Sequence, residues 1–402
     1  MITIIALGLF GFLLLVAQQL VYQRLWLKNL NVDIGFSADH IYEGETGELK
    51  EIIENRKRLP LAMLKVKFIT HRHLVFGNAR GSRTTDNYYR NDVFCIGGGE
   101  RIIRTLKFQG SRRGYYTIKE LSLVGSDLFF MSQMNKDLPA ENKDPSHMEK
   151  GFSTEKISAP SINEEKLHRE IYVYPKPYDS KELRRALIYL NGDMVAKRHL
   201  LEDPFEYRGI REYQPYDDMR SINWKATAKT GDFKVNQRHY TSLKTARIFF
   251  DIHYDTRIYS EAVAEMTLRI TAALCAYFLK QGMQVSCFGN GVDTVTREPV
   301  AILPKGGGRH LDHIYKSLAR VDLDQPGVSF PQRFEETVFE ASGGALNCFV
   351  SSNQGEEFVD FLTGYQRTGS PFVWFFPVPR GKELPKLPPA VARHISVLYL
   401  DA

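Results

Sequence analysis

The sequence predicts a multi-domain protein: an N-terminal transmembrane helix, an all-β sandwich, and a doubly wound α/β domain with a mainly parallel sheet. Three observations carry that reading. The chain opens on a long charge-free apolar run, continues in short alternating segments broken by turns, and ends in fully apolar strands that alternate with helical stretches. At 402 residues it exceeds one ordinary core, since a domain usually holds about 100 to 200 residues. Its 43% hydrophobic, 25% charged and 12% aromatic residues are those of a folded chain, which excludes general disorder.

The anchor comes first, over residues 1–23. "MITIIALGLFGFLLLVA" is uncharged and mostly apolar, and the charge-free run continues to Gln23. At about 1.5 Å per residue such a helix reaches the roughly 30 Å of a bilayer core. A secretory signal would carry a basic start and a small-residue cleavage site, and this run has neither. The expectation is a retained single-pass span in the cell membrane, a cleaved signal or a buried helix being the alternatives. Arg24 and Lys28 follow the span and no charged side chain precedes it, so the positive-inside bias places the bulk of the chain in the cytoplasm. Tyr22 and Trp26 are expected in the interfacial belt.

Residues 29–135 read as the β-sandwich domain: alternating segments are interrupted by the turn-like "EGETG" and "NRKRLP", and "FCIGGGERIIRTLKFQ" reads as a hairpin around Gly97 to Gly99. Residues 136–170 are polar and can bury little, which suits a linker or surface excursion. "IYVYPKP" then resumes as a strand that either closes the first domain or opens the second, at the head of a segment spanning 171–242.

From 243 to 402 strand and helix alternate. "ARIFFDI", "MQVSCFG", "ALNCFVSS", "PFVWFFPV" and "HISVLYL" are the strands, and "EAVAEMTLRITAALCAYFLKQG" is a long buried helix closed by Gly282. Continuous apolar strands imply a sheet covered on both faces. Functional loops then belong at the carboxyl ends of the strands, after Asp251 and Ser352. Four cysteines, Cys95, Cys275, Cys287 and Cys348, lie far apart without a CxxC pair, against a disulfide framework or zinc site.

The most charged stretch is "REYQPYDDMRSINWKATAKTG", residues 211–231. Asp217 or Asp218 suits an N-cap, Met219, Ile222 and Ala226 share a helical face, and Gly231 suits a left-handed C-cap. Trp224 and Ala228 add a second apolar line, so the helix is expected to be wedged between layers. Between Arg208 and Arg238, seven basic side chains (Arg208, Arg211, Arg220, Lys225, Lys229, Lys234, Arg238) stand among four acidic ones (Glu212, Asp217, Asp218, Asp232). Arg208, Arg211, Glu212, Asp218, Arg220, Trp224 and Lys225 are thus the candidate residues for an ion-pair and capping seam between domains or for binding a protein partner or an anionic ligand. Nucleic acid is not expected as a partner, because aromatics are few and acids are interleaved.

"RGIREYQPYDDMRSINWKATAKTG" resembles the signature of the domain-of-unknown-function family numbered fifty-eight, with its Arg-Glu-Tyr, Pro-x-Asp-Asp turn and Ile-x-Trp. "GSRRGYYTI" with "GSDLFF", and "IYVYPKP", resemble its upstream landmarks. The resemblance implies a membrane anchor, a β-rich domain and a C-terminal von Willebrand factor A-like domain, with a MoxR-type AAA+ ATPase as partner. Many relatives carry two hydrophobic spans at the N-terminus, whereas this chain shows one.

Domains of the von Willebrand class hold Mg²⁺ on an Asp and two hydroxyls in Asp-x-Ser-x-Ser, with a later Thr and Asp. Here the first loop reads Asp251, His253, Asp255, and "SSNQG" places Asn353 where an Asp is expected. Imidazole is a poor Mg²⁺ ligand. Asp251, Asp255, Ser351 and Asn353 are the candidate oxygens of a metal site, which reads as degenerate. Otherwise no cofactor is expected: Gly306 to Gly308 form no GxxxxGK[ST] or GxGxxG, "HRH" at 71–73 lacks a spaced third ligand, and no GxSxG occurs. The expected function is a membrane-anchored, cytoplasm-facing interaction module. It would work with a MoxR-like ATPase in assembly or maturation of envelope or secreted proteins. The alternative is a divalent-metal-dependent ligand-binding protein or enzyme centred on Asp251.

Overall fold

A computed structural model of the chain describes residues 1–77, 82–138, 167–198, 202–214, 219, 222–240, 245–252, 261–325, 329–339, 345–368, 371–381 and 388–400. At residues 2, 191–198, 202–208, 237–240, 333, 336–339 and 390 only the backbone is described. The chain forms two compact units, Met1–Lys176 and Pro177–Ala402.

The first unit begins with α1 (Ile2–Leu25). This helix is long and apolar enough to cross a bilayer, and its apolar stretch is not buried within the protein. Twelve described strands follow: β1 (Leu30–Phe36), β2 (His40–Tyr42), β3 (Thr46–Asn55), β4 (Leu61–His71), β5 (Leu74–Phe76), β6 (Ser82–Thr84), β7 (Asn87–Ile96), β8 (Arg101–Gly110), β9 (Gly114–Thr117), β10 (Glu120–Ser126), β11 (Gln133–Leu138) and β12 (Glu170–Tyr174). Two antiparallel sheets, ordered β1-β3-β8-β5 and β11-β10-β4-β7-β6, pack as a sandwich. The alternation of β3 and β7 sends every second side chain inward. Ile34, Leu49 and Phe108 of one sheet join Leu64, Phe68 and Tyr88 of the other in a single core. A third sheet, β2-β12-β9, closes the unit: β12 runs parallel to β2 and antiparallel to β9, so the "IYVY" of "IYVYPKP" completes the first unit.

The sequence placed Tyr22 and Trp26 at a lipid interface. The structure buries both in the sandwich core. Tyr22 Oη donates to Pro60 O at 2.9 Å, and Lys57 Nζ donates to Trp26 O at 2.8 Å. A Cβ on Gly125 would sit 2.6 Å from Trp26 Cε3, so glycine there makes room for the indole.

The second unit comprises α2 (Lys181–Arg198), β13 (Glu202–Glu212), α3 (Trp224–Thr230), β14 (Lys234–Tyr240), β15 (Thr245–Asp251), α4 (Glu261–Lys280), β16 (Gln284–Asp293), β17 (Pro299–Lys305), α5 (Gly308–Ala319), β18 (Val321–Asp322), α6 (Phe330–Phe339), β19 (Ala345–Ser351), α7 (Glu356–Gln366), β20 (Phe372–Val378), α8 (Pro389–Ala392) and β21 (Ile395–Tyr399). Its large sheet is ordered β17-β16-β15-β19-β20-β21, with β18 beside β16. The pairs from β16 through β15, β19 and β20 to β21 are parallel, and β17 and β18 run antiparallel to β16. Counted from β15, this is the 3-2-1-4-5-6 order of doubly wound sheets.

Side chains alternate between the two sheet faces. Phe249 and Phe349 pack on one face against Phe334 of α6 and Phe361 of α7. Cys287 and Cys348 flank Ile248 on the other and meet Cys275 of the buried helix α4, where burial pushes the Cys275 and Cys348 thiols far up. α4 is also apolar enough to span a bilayer, but most of it is buried, as befits a core helix. α2 was not foreseen. It presents Leu183, Leu187 and Leu190 as one buried stripe and packs against β21, while Tyr178 Oη donates to Tyr399 O at 2.7 Å. Residues 177–198 therefore belong to the α/β body.

Candidate functional site

The charged stretch folds as a hairpin with a helix in its connection. β13 and β14 pair antiparallel, with Arg211 opposite Val235 and Glu212 opposite Lys234. The helix begins later than its sequence implied: Asn223 is the N-cap, its Oδ1 accepting from Ala226 N at 2.9 Å. Asp217, Asp218 and Arg220 lie outside the described residues. Asn223 Nδ2 also donates to Asn236 Oδ1 at 2.7 Å, tying the cap to β14. Gly231, at φ 80°, ends α3 in the left-handed conformation as expected. Thr227 Oγ1 accepts from Lys234 N at 3.0 Å, and Ile222 forms a buried bridge with Val235.

Trp224 is not wedged between layers. It is 62% exposed, and α3 buries none of its residues. Of the face expected from Met219, Ile222 and Ala226, only Ile222 is buried, and it lies ahead of the helix, while the second line of Trp224 and Ala228 stays uncovered. Met219 is 65% exposed, as are Phe233 (54%) and Ile210 (45%) to lesser degrees. The Trp224 ring meets Phe233 edge-on at 6.4 Å, and Phe233 lies 5.9 Å from Tyr213. Neither Phe233 nor Tyr213 is a candidate site residue in the sequence, although Tyr213 closes the Arg-Glu-Tyr landmark. Alternation in "DFKV" sets Phe233 on the face of buried Val235 and so reads it as inward; it is exposed because it lies just ahead of β14, which begins at Lys234. Around this aromatic patch Lys234 pairs with Glu212 at 3.2 Å and Arg211 Nη1 donates to Glu212 O at 2.9 Å, while Lys225 stands on the helix beside Trp224. Arg208 lies in β13, where its backbone alone is described.

The second cluster sits at the carboxyl ends of β15 and β19, where Asp251 stands opposite Ser351. This is the point at which successive strands pass to opposite sides of β15, the usual crevice of such sheets. Asp251 Oδ2 accepts from Ser351 Oγ at 2.7 Å and Oδ1 from Asn290 Nδ2 at 2.7 Å. Asn290 Oδ1 in turn accepts from Ile252 N at 2.8 Å. Ser351 Oγ accepts from Asn353 N at 2.9 Å, and Asn353 Oδ1 accepts from Gly355 N at 2.8 Å, ahead of α7. Trp374 Nε1 closes the floor on Ser351 O at 2.9 Å. Asp251, Asn290, Ser351 and Asn353 are all buried.

Asp255 and His253 lie outside the described residues. Among the described residues no three His, Cys, Asp or Glu side chains gather as a metal-holding group. The oxygens of Asp251, Ser351 and Asn353 are already bonded within the cluster. An entering Mg²⁺ would compete with these bonds for its oxygen ligands. The sequence missed Asn290, which lies in β16 with no motif around it.

Elsewhere, Gly307 is a positive-φ N-cap to α5 beside a 470 Å³ surface cavity lined by Lys305, Arg309, His310 and His313. His310 is spoken for by Val285 O at 2.7 Å. In the first unit, His71 lies 5.0 Å from Tyr116 in a stacked arrangement, and burial pushes it down to about 4, a neutral packing histidine.

The architecture is thus that of a mostly β, two-unit protein with an apolar N-terminal helix and an α/β sheet in its second unit. Residues 209–358 match the family described as "Protein of unknown function DUF58", which supports the resemblance carried by the charged stretch. No curated protein matches the chain. Among solved structures, a CARDB domain from Pyrococcus furiosus is 16% identical over 28% of this chain and 83% of its own, with a TM-score of 0.18. A non-cellulosomal cohesin from Archaeoglobus fulgidus is 11% identical over 28% and 94%, at 0.19. The sporulation control protein Spo0M from Bacillus subtilis is 10% identical over 47% and 59%, at 0.19. Likeness at this level defines no function.

Proposed function

We propose that this protein is a membrane-tethered, cytoplasm-facing interaction module, not an enzyme, whose second unit is von Willebrand factor A-like and docks a protein partner. That partner is a MoxR-type AAA+ ATPase acting on envelope or secreted proteins. The observation that carries the reading is the exposed aromatic pair of Trp224 and Phe233, backed by half-buried Tyr213 and flanked by Arg211 and Lys225, inside the segment that matches the family. Exposed aromatics with basic neighbours are the usual anchors of protein interfaces. The strand order with its antiparallel edge supports the von Willebrand comparison. Retention of α1 is supported by Tyr22 and Trp26, which a cleaved signal would have no reason to bury in a folded core.

Copurification from solubilised membranes tests it. An AAA+ ATPase, identified by mass spectrometry, should accompany the wild type and be lost with Trp224→Ala and Phe233→Ala. If it accompanies neither form, or all forms alike, the reading fails.

A second reading, divalent-metal-dependent ligand binding or catalysis at Asp251, is favoured by the position of that carboxylate at the sheet's crevice. Calorimetric titration with Mg²⁺ and Mn²⁺, with Asp251→Ala as control, decides it: absence of heat up to millimolar metal removes this reading.

A further inference from the structure

One end of the first unit gathers an apolar turn, the exit of α1 and a group of basic side chains. The turn between β10 and β11 exposes four successive apolar side chains: Leu128, Phe129, Phe130 and Met131, the last at 68%. A run of this kind on a protein surface marks a contact site. The turn is not loose. Buried Asp127 accepts from Met131 N at 2.7 Å and from Ser132 N at 3.3 Å through Oδ1, and its carbonyl accepts from Phe130 N at 3.2 Å. Phe130 is held at φ 59°, a conformation a bulky residue adopts only where its surroundings impose it.

This turn stands beside the exit of α1. Gly125, two residues before Asp127, is the residue on which Trp26 packs. Strand register places Ser126 opposite Met63, near the start of β4. Pro60, just ahead of β4, receives the Tyr22 hydroxyl, and Lys57 in the β3–β4 turn holds Trp26 O. The same end exposes Arg24, Lys28 and Arg58. Apolar tips surrounded by basic side chains are the composition of a surface that enters the headgroup region of an anionic bilayer.

We propose that the β10–β11 turn, residues 127–132, inserts its Leu-Phe-Phe-Met tip into the bilayer interface beside α1 and seats the first unit on the lipid surface. The occupant is lipid because the exposed apolar surface of the turn adjoins the end of a helix whose own apolar surface is exposed along its length. The proposal rests on α1 being a retained span, and its test separates the two. In a Cys95→Ser background the full chain is reconstituted in vesicles of 3:1 phosphatidylcholine and phosphatidylglycerol. Single cysteines Phe129→Cys, Met131→Cys, Leu9→Cys and Asp86→Cys carry an NBD fluorophore. Asp86 precedes β7, whose Asn87 pairs with His71. It therefore lies about 25 Å along β4 from the tip, at about 3.3 Å per residue.

The expected result is blue-shifted emission at 129 and 131, quenched by lipids spin-labelled near the headgroup, with position 86 unquenched and water-like. Probes at 129 and 131 that match position 86 overturn the proposal. A blue shift without lipid quenching also overturns it, since protein, such as a second copy of the chain, would then be the cover. Quenching of Leu9→Cys by mid-bilayer spin labels reports the span independently. If it is quenched while 129 and 131 are not, the anchor stands and the tip proposal fails. If 129 and 131 are quenched while position 9 is not, the span is rejected and with it the proposal, which seats the tip beside that span.

Discussion

At Trp224 a single side chain changes what a mutation can mean. A packed tryptophan removed to alanine would cost about 3–5 kcal/mol, but at 62% exposure the change should stay within about 0.5 kcal/mol. Trp224→Ala is therefore expected to leave the thermal unfolding midpoint in place while abolishing partner capture, which differential scanning fluorimetry beside the copurification checks. Glu51 offers the opposite case, a charge inside the sandwich. It faces the core from β3, pairs with Arg104 at 2.6 Å, and Arg104 also reaches Asp92 of the other sheet, which Arg90 holds at 2.5 Å. Burial pushes the Glu51 carboxyl from 4.5 up to about 7, Arg104 drawing it down and Asp92 pushing it further up. A raised carboxyl pKa means the folded state holds the proton more tightly than the unfolded chain. Its stabilising contribution is thus complete below about pH 4.5 and is lost as pH rises through about 7. The unfolding midpoint of the detergent-solubilised protein should fall across that window, and Glu51→Gln should flatten the fall; equal slopes for both would sink the assignment. Little of this was legible beforehand. A glutamate in an alternating strand reads as outward-facing, and only the register that sets Glu51 opposite Arg104 makes an inward charge tolerable.

Among the elements, those with strong periodicity were the readable ones. The apolar strands β15, β16, β19 and β20 and the helix α4 lie where their runs of large side chains required, because a buried strand or helix has no other way to hide such a surface. α3 started late since capping is decided by one side chain, Asn223, bonded at once to Ala226 N and Asn236 Oδ1. The carboxylates that competed with it in the sequence precede the helix by several residues. α2 was missed because its apolar stripe is diluted by Arg and Lys, so that its packing partner, β21, determines it more than its pattern does. The end of α1 misled for a related reason: an aromatic beside a membrane span reads equally as interfacial or as core, and Gly125 decides the matter by leaving a gap shaped for Trp26. Gly125→Val should fill that gap. Overpacking of this kind costs about 1–3 kcal/mol, so chemical denaturation is expected to show the loss and the indole fluorescence of Trp26 to shift toward water; an unchanged midpoint would mean that the helix end is not fixed there.

For the molecule as a whole, the division of labour between two units was visible as a change from alternating to continuous apolar strands, while the boundary was not. It falls at Lys176 and Pro177, because β12 belongs to the sheet before it and Tyr178 to the body after it. Strand β12 lies parallel to β2, Tyr172 opposite His40, so most of the first unit's sequence separates two neighbours in one sheet. Pairings this distant are slow, since a long loop must close before any contact rewards it. On the ribosome the consequence is an order of events. The two larger sheets can assemble once Leu138 has emerged, yet β2 and β9, which pair only through β12, stay without a strand partner until Tyr174 follows. Nascent chains arrested just past residue 138 should remain protease-sensitive at β2 and β9, and those arrested well beyond residue 174 should be protected. Synthesis itself, then, sets an interval during which this protein is half-built and adhesive, and any chaperone it needs would be needed at that moment.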